Sequence, residues 1–105
     1  MDLNYNIEVR ENEVYIQLEG DLDIYSCDKF KEDSIKVVEK NKLDLIIDAK
    51  ELVYIDSTGL GALISIYKRV KEHQNKIIIE NLKPNVKKIF EITDLDKIFE
   101  IKGAK

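Results

Sequence analysis

Leu43-Asp44-Leu45-Ile46-Ile47-Asp48 is the stretch on which the fold turns. Near its end the run is apolar at consecutive positions, the pattern of an interior strand covered on both faces. After a connector from Ala49 to Ile55, with a short extended piece at Leu52-Val53-Tyr54-Ile55, a helix is expected from about Thr58 to Gln74. There Leu60, Leu63, Ile64, Tyr67, Val70 and Lys71 recur at helical spacing, and all but Lys71 are apolar. Ile77-Ile78-Ile79 then reads as a second buried strand.

The same logic extends in both directions. Tyr5, Ile7 and Val9 alternate with polar neighbours, as do Val14, Ile16 and Leu18. Glu11-Asn12-Glu13 between them is short and polar, which predicts an antiparallel hairpin. Gly20 to Tyr25 reads as a loop, and Ser26 as the N-cap of a helix reaching about Asn41. That helix has Cys27, Phe30, Val37 and Val38 on one stripe, with Ser34 falling within it. Downstream, Pro84 suits the first turn of a third helix whose Val86, Ile89 and Phe90 face inward. Ile98, Phe99 and Ile101 suggest a last short strand. The order β-β-α-β-α-β-α-β predicts an α/β fold: one mixed, mostly parallel sheet with helices packed on it. Residues 1–105 are expected to form a single domain, with no linker, repeat or low-complexity segment.

Composition narrows the function classes. The chain has 17 basic and 21 acidic residues, a net charge of −4, which disfavours nucleic acid or an anionic membrane as a direct partner. The charge is uneven, −6 over residues 1–75 and +2 over residues 76–105. The single cysteine, Cys27, cannot form an internal disulfide and is read as core. His73 is the sole histidine, so zinc sites and histidine-based triads are disfavoured, and neither metal nor cofactor is expected. Met1-Asp2-Leu3-Asn4 lacks a basic segment followed by an apolar one, and no apolar run is long enough to span a membrane. A cytoplasmic protein, monomeric when free, is the expectation. His73 reads as a solvated residue near a helix C-terminus, and Lys87-Lys88 as a solvated helix face.

The functional signal sits in Ile55-Asp56-Ser57-Thr58-Gly59-Leu60-Gly61, which joins an extended piece to the longest helical pattern. Unpaired N–H groups crowd a helix start, and either Ser57 or Asp56 can accept from them. Gly59 and Gly61 each cost about 1 kcal/mol against alanine inside a helix, so a close approach to that backbone is expected. Close helix–sheet packing and a partner lying near the helix start both explain it. A nucleophilic Ser57 fits poorly. Ile55 stands where a hydrolase elbow needs glycine, and His73 lies sixteen residues along the same helix, about 24 Å away. A phosphate-binding loop lacks its Gly-Lys-Ser/Thr.

Asp56-Ser57-Thr58-Gly59-Leu60-Gly61 resembles the signature of the bacterial STAS-domain anti-sigma factor antagonists. Gly20-Asp21-Leu22-Asp23 resembles that family's Gly-x-Leu-Asp loop after the second strand. Leu82-Lys83-Pro84-Asn85-Val86 and Leu95-Asp96-Lys97-Ile98-Phe99 resemble its third-helix entry and last strand, so the likeness covers residues 5–101. Many members carry a further helix after the last strand, where this sequence has only Lys102-Gly103-Ala104-Lys105.

The resemblance implies a partner-switching regulator without catalysis of its own. Its serine, Ser57 here, is phosphorylated by a kinase that is also the anti-sigma factor. The unphosphorylated form binds that kinase and frees a sigma factor, and a PP2C-type phosphatase restores it. Asp23, Asp56, Ser57, Thr58, Gly59 and Gly61 are the implied partner-binding residues. Asp56 is read as helix-start charge or kinase contact, and Thr58 as a cap or a competing phosphate acceptor. Ala62 and Ile66 are open to the partner surface or the rim of the core, and Tyr25 to the binding loop or a half-buried position. A scaffold subunit of a stressosome-like or transporter-associated complex is the alternative function.

Overall fold

A computed structural model describes residues 2–103; Met1, Ala104 and Lys105 of the expected domain lie outside the described residues. Five strands form one sheet in the order β1-β2-β3-β4-β5. They are β1 (Leu3–Val9), β2 (Glu13–Leu22), β3 (Asp44–Ile55), β4 (Ile77–Glu80) and β5 (Glu100–Lys102). β1 and β2 form the expected antiparallel hairpin, and every other pairing is parallel. Three helices connect them: α1 (Cys27–Asn41), α2 (Ser57–Glu72) and α3 (Pro84–Ile92). Among the described residues no helix is long and apolar enough to cross a membrane.

The two strands that lead to the site are longer than their patterns suggest. β2 keeps strict alternation to its end, burying Val14, Ile16, Leu18, Gly20 and Leu22. Gly20, Asp21 and Leu22 therefore belong to the strand, and the loop begins only at Asp23. Glycine is required at position 20: φ is +105°, and a Cβ there would sit 2.0 Å from the Asp2 carbonyl oxygen. β3 runs unbroken through the stretch read as a connector. Against β2 it carries one extra residue between Asp48 and Glu51 and another between Leu52 and Tyr54. These bulges turn the buried positions into Ala49, Leu52 and Ile55, a period of three that hides the strand from an alternation test.

The helices cover one sheet face; on the other, Ile46 is buried as expected of an interior strand but Ile78 is only half-buried, so β4 is not covered on both faces. Val14 and Ile16 of β2, Leu45 and Ile47 of β3, and Ile77 and Ile79 of β4 line up in register and are buried. Phe30 of α1, Leu63, Ile66 and Val70 of α2, and Val86 and Phe90 of α3 complete that core. Edge-to-face rings bind its margins: Tyr5 with Phe30 at 5.3 Å, and Phe99 with Tyr67 at 5.4 Å and Phe90 at 5.9 Å. Phe99 does this from the segment between a 3-10 turn (Leu95–Lys97) and β5, so the last strand starts one residue after it and Ile98 is exposed. On the opposite sheet face Asp48 accepts from the Tyr15 hydroxyl at 2.9 Å and from Asn81 at 3.1 Å.

Two single residues differ from expectation, and a third, Ser34, falls in the buried stripe as expected but without a partner. Ser26 does not cap α1 through its side chain; its hydroxyl turns back to the Asp21 carbonyl at 2.9 Å. His73 is not a free solvated residue. It stands at the C-cap of α2 with Nε2 2.9 Å from Glu39 of α1, and Arg69 reaches the same carboxylate at 3.2 Å. That pairing ties the two helices together and holds Glu39 below the usual carboxylate range, through His73 first and Arg69 second. Ser34, inside the α1 stripe, is fully buried, and its hydroxyl has no hydrogen-bond partner among the described residues.

An unpaired buried hydroxyl is a cost that alanine removes at nearly the same volume. Ser34→Ala is therefore expected to raise unfolding stability by about 1 kcal/mol in urea titration. A loss of that size would mean that the hydroxyl is satisfied in solution.

Candidate functional site

β2 and β3 are parallel neighbours and end side by side, with Leu22 opposite Ile55. Their two exits, the segment from Asp23 to Ser26 and the start of α2, are therefore forced together. The backbone joins them first: the Asp56 N–H donates to the Leu22 carbonyl at 3.3 Å. The Asp56 side chain joins them again. Its Oδ2 accepts from the Ile24 N–H at 3.3 Å, and its Oδ1 accepts from the Gly59 N–H at 2.9 Å and the Thr58 hydroxyl at 2.6 Å.

Asp56 thus caps α2, the choice the sequence left open between it and Ser57. The Thr58 hydroxyl first, then the Gly59 N–H, holds its carboxyl below the usual range, against a smaller opposing effect of burial. Thr58 is half-buried and its hydroxyl is committed to that carboxylate. Ser57, the first residue of α2, is exposed, and its hydroxyl makes no hydrogen bond among the described residues. So two adjacent hydroxyls have opposite fates: one locks the helix start, the other faces solvent.

The loop opposite is tightly held. The Asp23 carbonyl accepts from the N–H groups of Ser26 at 3.1 Å and Cys27 at 2.8 Å, and its Oδ1 accepts from the Tyr25 N–H at 3.0 Å. Asp23 is half-buried and shapes the loop, which in turn meets α2 through Ile24 and Asp56. Cys27 is buried beneath it.

The two glycines separate. Gly59 is buried, and a Cβ there would lie 2.3 Å from the Leu22 carbonyl oxygen and 2.8 Å from Ile55 Cγ1. The close approach it permits is made by the protein's own strands. Gly61 is exposed, and a Cβ there would meet nothing within 4 Å. Ala62 and Ile66 are buried at 4% and 0% exposure, so they belong to the core and not to an outer strip. Tyr25 is not half-buried: it is 94% exposed, beside Ile24 at 61%. The sequence signal for that pair is an apolar dipeptide in a segment with no periodic partner. Val53 and Tyr54, exposed by the second β3 bulge, gave no such signal.

The sole histidine, His73, is engaged with Glu39 at the far end of α2. The arrangement offers an exposed hydroxyl on a helix start, framed by a rigid loop. The STAS-domain family model matches residues 4–104. An anti-sigma-B factor antagonist of Bacillus subtilis is 33% identical over 101 residues, covering 96% of this chain and 92% of the relative. This chain belongs to the STAS-domain family of anti-sigma factor antagonists. Solved structures agree on the STAS fold. An anti-sigma factor antagonist described as putative, from Thermotoga maritima, superposes with a TM-score of 0.88 at 19% identity, covering 95% of this chain and 86% of that one. The Bacillus cell fate determinant SpoIIAA matches in its unphosphorylated form at 0.76 (19% identity, 97% and 90% covered) and its phosphorylated form at 0.74 (20%, 93% and 90%).

The geometry of this STAS domain yields two stability predictions. Gly59→Ala is expected to destabilise it by about 3 kcal/mol, because the methyl meets backbone oxygen, while Gly61→Ala gains about 0.5–1 kcal/mol of helix propensity. Equal effects in parallel urea titrations would contradict the packing described. Asp56→Ala is expected to cost about 1 kcal/mol at neutral pH. The folded pKa of Asp56 lies below its unfolded value, so its contribution is present above the unfolded carboxylate pKa and is lost as pH falls through the folded one. The gap between wild type and Asp56→Ala should therefore close in acid, and a gap that widens there would reverse the assignment.

Proposed function

We propose that this protein, as one STAS unit over residues 1–105, is a cytoplasmic anti-sigma factor antagonist switched at Ser57. In its unphosphorylated form it binds an anti-sigma factor that is also a serine kinase, and so frees a sigma factor. Phosphorylation of Ser57 breaks that complex, and a PP2C-type phosphatase reverses the modification. The chain is a substrate and a binder, monomeric when free, with no catalysis of its own and no direct contact with DNA or membrane. In this reading Asp23, Asp56, Ser57, Thr58 and Gly61 contribute to the partner-binding surface, and Gly59 supports the helix start from within.

The observation that carries this reading is the exposed, unpartnered Ser57 beside a Thr58 whose hydroxyl is engaged. A kinase meets one free acceptor at this helix start. Support also comes from the Bacillus subtilis relative, named an anti-sigma-B factor antagonist, and from the phosphorylated form in which SpoIIAA has been solved.

Phosphate adds about −1.5 to −2 charges, taking the chain from −4 to about −6. The positive end of the α2 macrodipole tolerates that charge, so the domain need not unfold. The switch then acts at the partner surface, by repulsion and by a bulk that prevents close contact.

Incubation with the anti-sigma kinase of the same genome and ATP, followed by intact-mass measurement, tests the reading. One phosphate is expected on wild type and none on Ser57→Ala. The modified protein should melt close to the unmodified one, Ser57→Ala should still bind the kinase, and Ser57→Asp should bind it less. Phosphate on Thr58, or equal binding by Ser57→Asp, would overturn it.

A further inference from the structure

Tyr25, at 94%, is the most exposed large apolar side chain among the described residues, and the adjacent Ile24 is 61% exposed. Single exposed apolar residues are ordinary on a protein surface; Ile24 and Tyr25 are adjacent, more exposed than the other adjacent pair, Val53 and Tyr54, and bonded through the Ile24 N–H to the residue before Ser57. The loop's rigidity is visible in the bonds. The Tyr25 N–H is held by Asp23 Oδ1, the Ile24 N–H by Asp56 Oδ2, and the Ser26 hydroxyl donates to the Asp21 carbonyl. The backbone that carries the two side chains is therefore held, so docking them orders the side chains alone and not the loop. The same Asp56 carboxylate fixes the start of α2, so the apolar pair and Ser57 are held as one unit.

We infer that Ile24 and Tyr25 are the apolar anchor of the partner interface, and that they enter an apolar pocket on the partner rimmed by basic side chains. This rests on the antagonist reading above. Tyrosine is favoured at such centres because it buries a large rigid surface with few rotamers to freeze. The rim charge follows from the carboxylates around the pair, Asp23 and Asp56 on the loops and the exposed Asp28 in the first turn of α1. The position also explains how a phosphate on Ser57 acts without refolding. It places a dianion beside a surface that must be stripped of water for the anchor to seat, and it does so within an already acidic rim.

The test uses the kinase that phosphorylates Ser57 in the mass measurement. Its affinity is measured for wild type, for the double variant Ile24→Ser with Tyr25→Ser, and for Ile92→Ser. Ile92 is 72% exposed at the C-terminal end of α3 and serves as the control for generic loss of surface apolarity. All three should melt together, since none of these side chains is in the core. The double variant is expected to bind at least tenfold more weakly, Ile92→Ser within twofold of wild type, and wild-type affinity is expected to fall as salt is raised. A double variant that binds within twofold of wild type, or one no weaker than Ile92→Ser, overturns the anchor. Affinity unchanged by salt overturns the basic rim. Wild type that fails to bind at all refutes the antagonist reading instead, so the two failures are distinguishable. Should the double variant melt early, Tyr25→Ser alone carries the comparison, with the same outcomes.

Discussion

The Asp56 carboxylate is the contact on which the site depends. It takes two donors from the first turn of α2 and one from the loop after β2, and so welds two chain segments that are more than thirty positions apart. A carboxylate suits this place, because a helix start presents unpaired N–H groups and the positive end of a dipole. Without it, the first turn of α2 would lose its side-chain cap and the Ile24–Tyr25 loop one of its hydrogen bonds. The cap also decides which hydroxyl is free. By engaging Thr58 it leaves the Ser57 hydroxyl as the exposed one, so which of the two faces solvent follows from a helix-capping requirement.

This weld is possible only because β2 and β3 are parallel neighbours that end together. The crossover through α1 returns the chain beside itself, and the two bulges of β3 let it reach Ile55 opposite Leu22 despite its extra residues. Gly59 then allows the start of α2 to press on the Leu22 carbonyl. The fold places an exposed serine, a hydrogen-bonded loop and several carboxylates at one end of the sheet. The His73–Glu39–Arg69 pairing holds α1 to α2 at the other end of these helices. The exposed serine and this ionic pairing thus occupy opposite ends of α2.

The acidic balance of the first three quarters of the chain gains a place in this picture. Charges that only discouraged nucleic acid as a partner gather in part around the loop and the helix start that carries Ser57. A protein of this kind reaches transcription through another protein, and an acidic surface is no obstacle to that. The separation of the two glycines shows how far a motif can be resolved. Both are equally costly within a helix, yet one is demanded by the interior and the other lies on open surface.

By itself the sequence determined the element order, the hairpin, the mixed sheet and the motif that names the family. Those are set by local periodicity and by residue types in short register, which need no knowledge of distant neighbours. It did not show that Ala49 to Ile55 is strand, because bulges replace a period of two with a period of three. Nor did it show that Ser26 turns away from α1, that His73 is paired, or that Ala62 and Ile66 are core. Each of these depends on what lies across a strand pair or a helix pair. The division of labour among Asp56, Ser57 and Thr58 was decided by tertiary structure alone, since the Ile24 N–H that completes the Asp56 cap is supplied from another part of the chain. Spacing along the sequence places three polar residues at a helix start; only packing against the end of β2 determines which caps, which braces and which is left facing water.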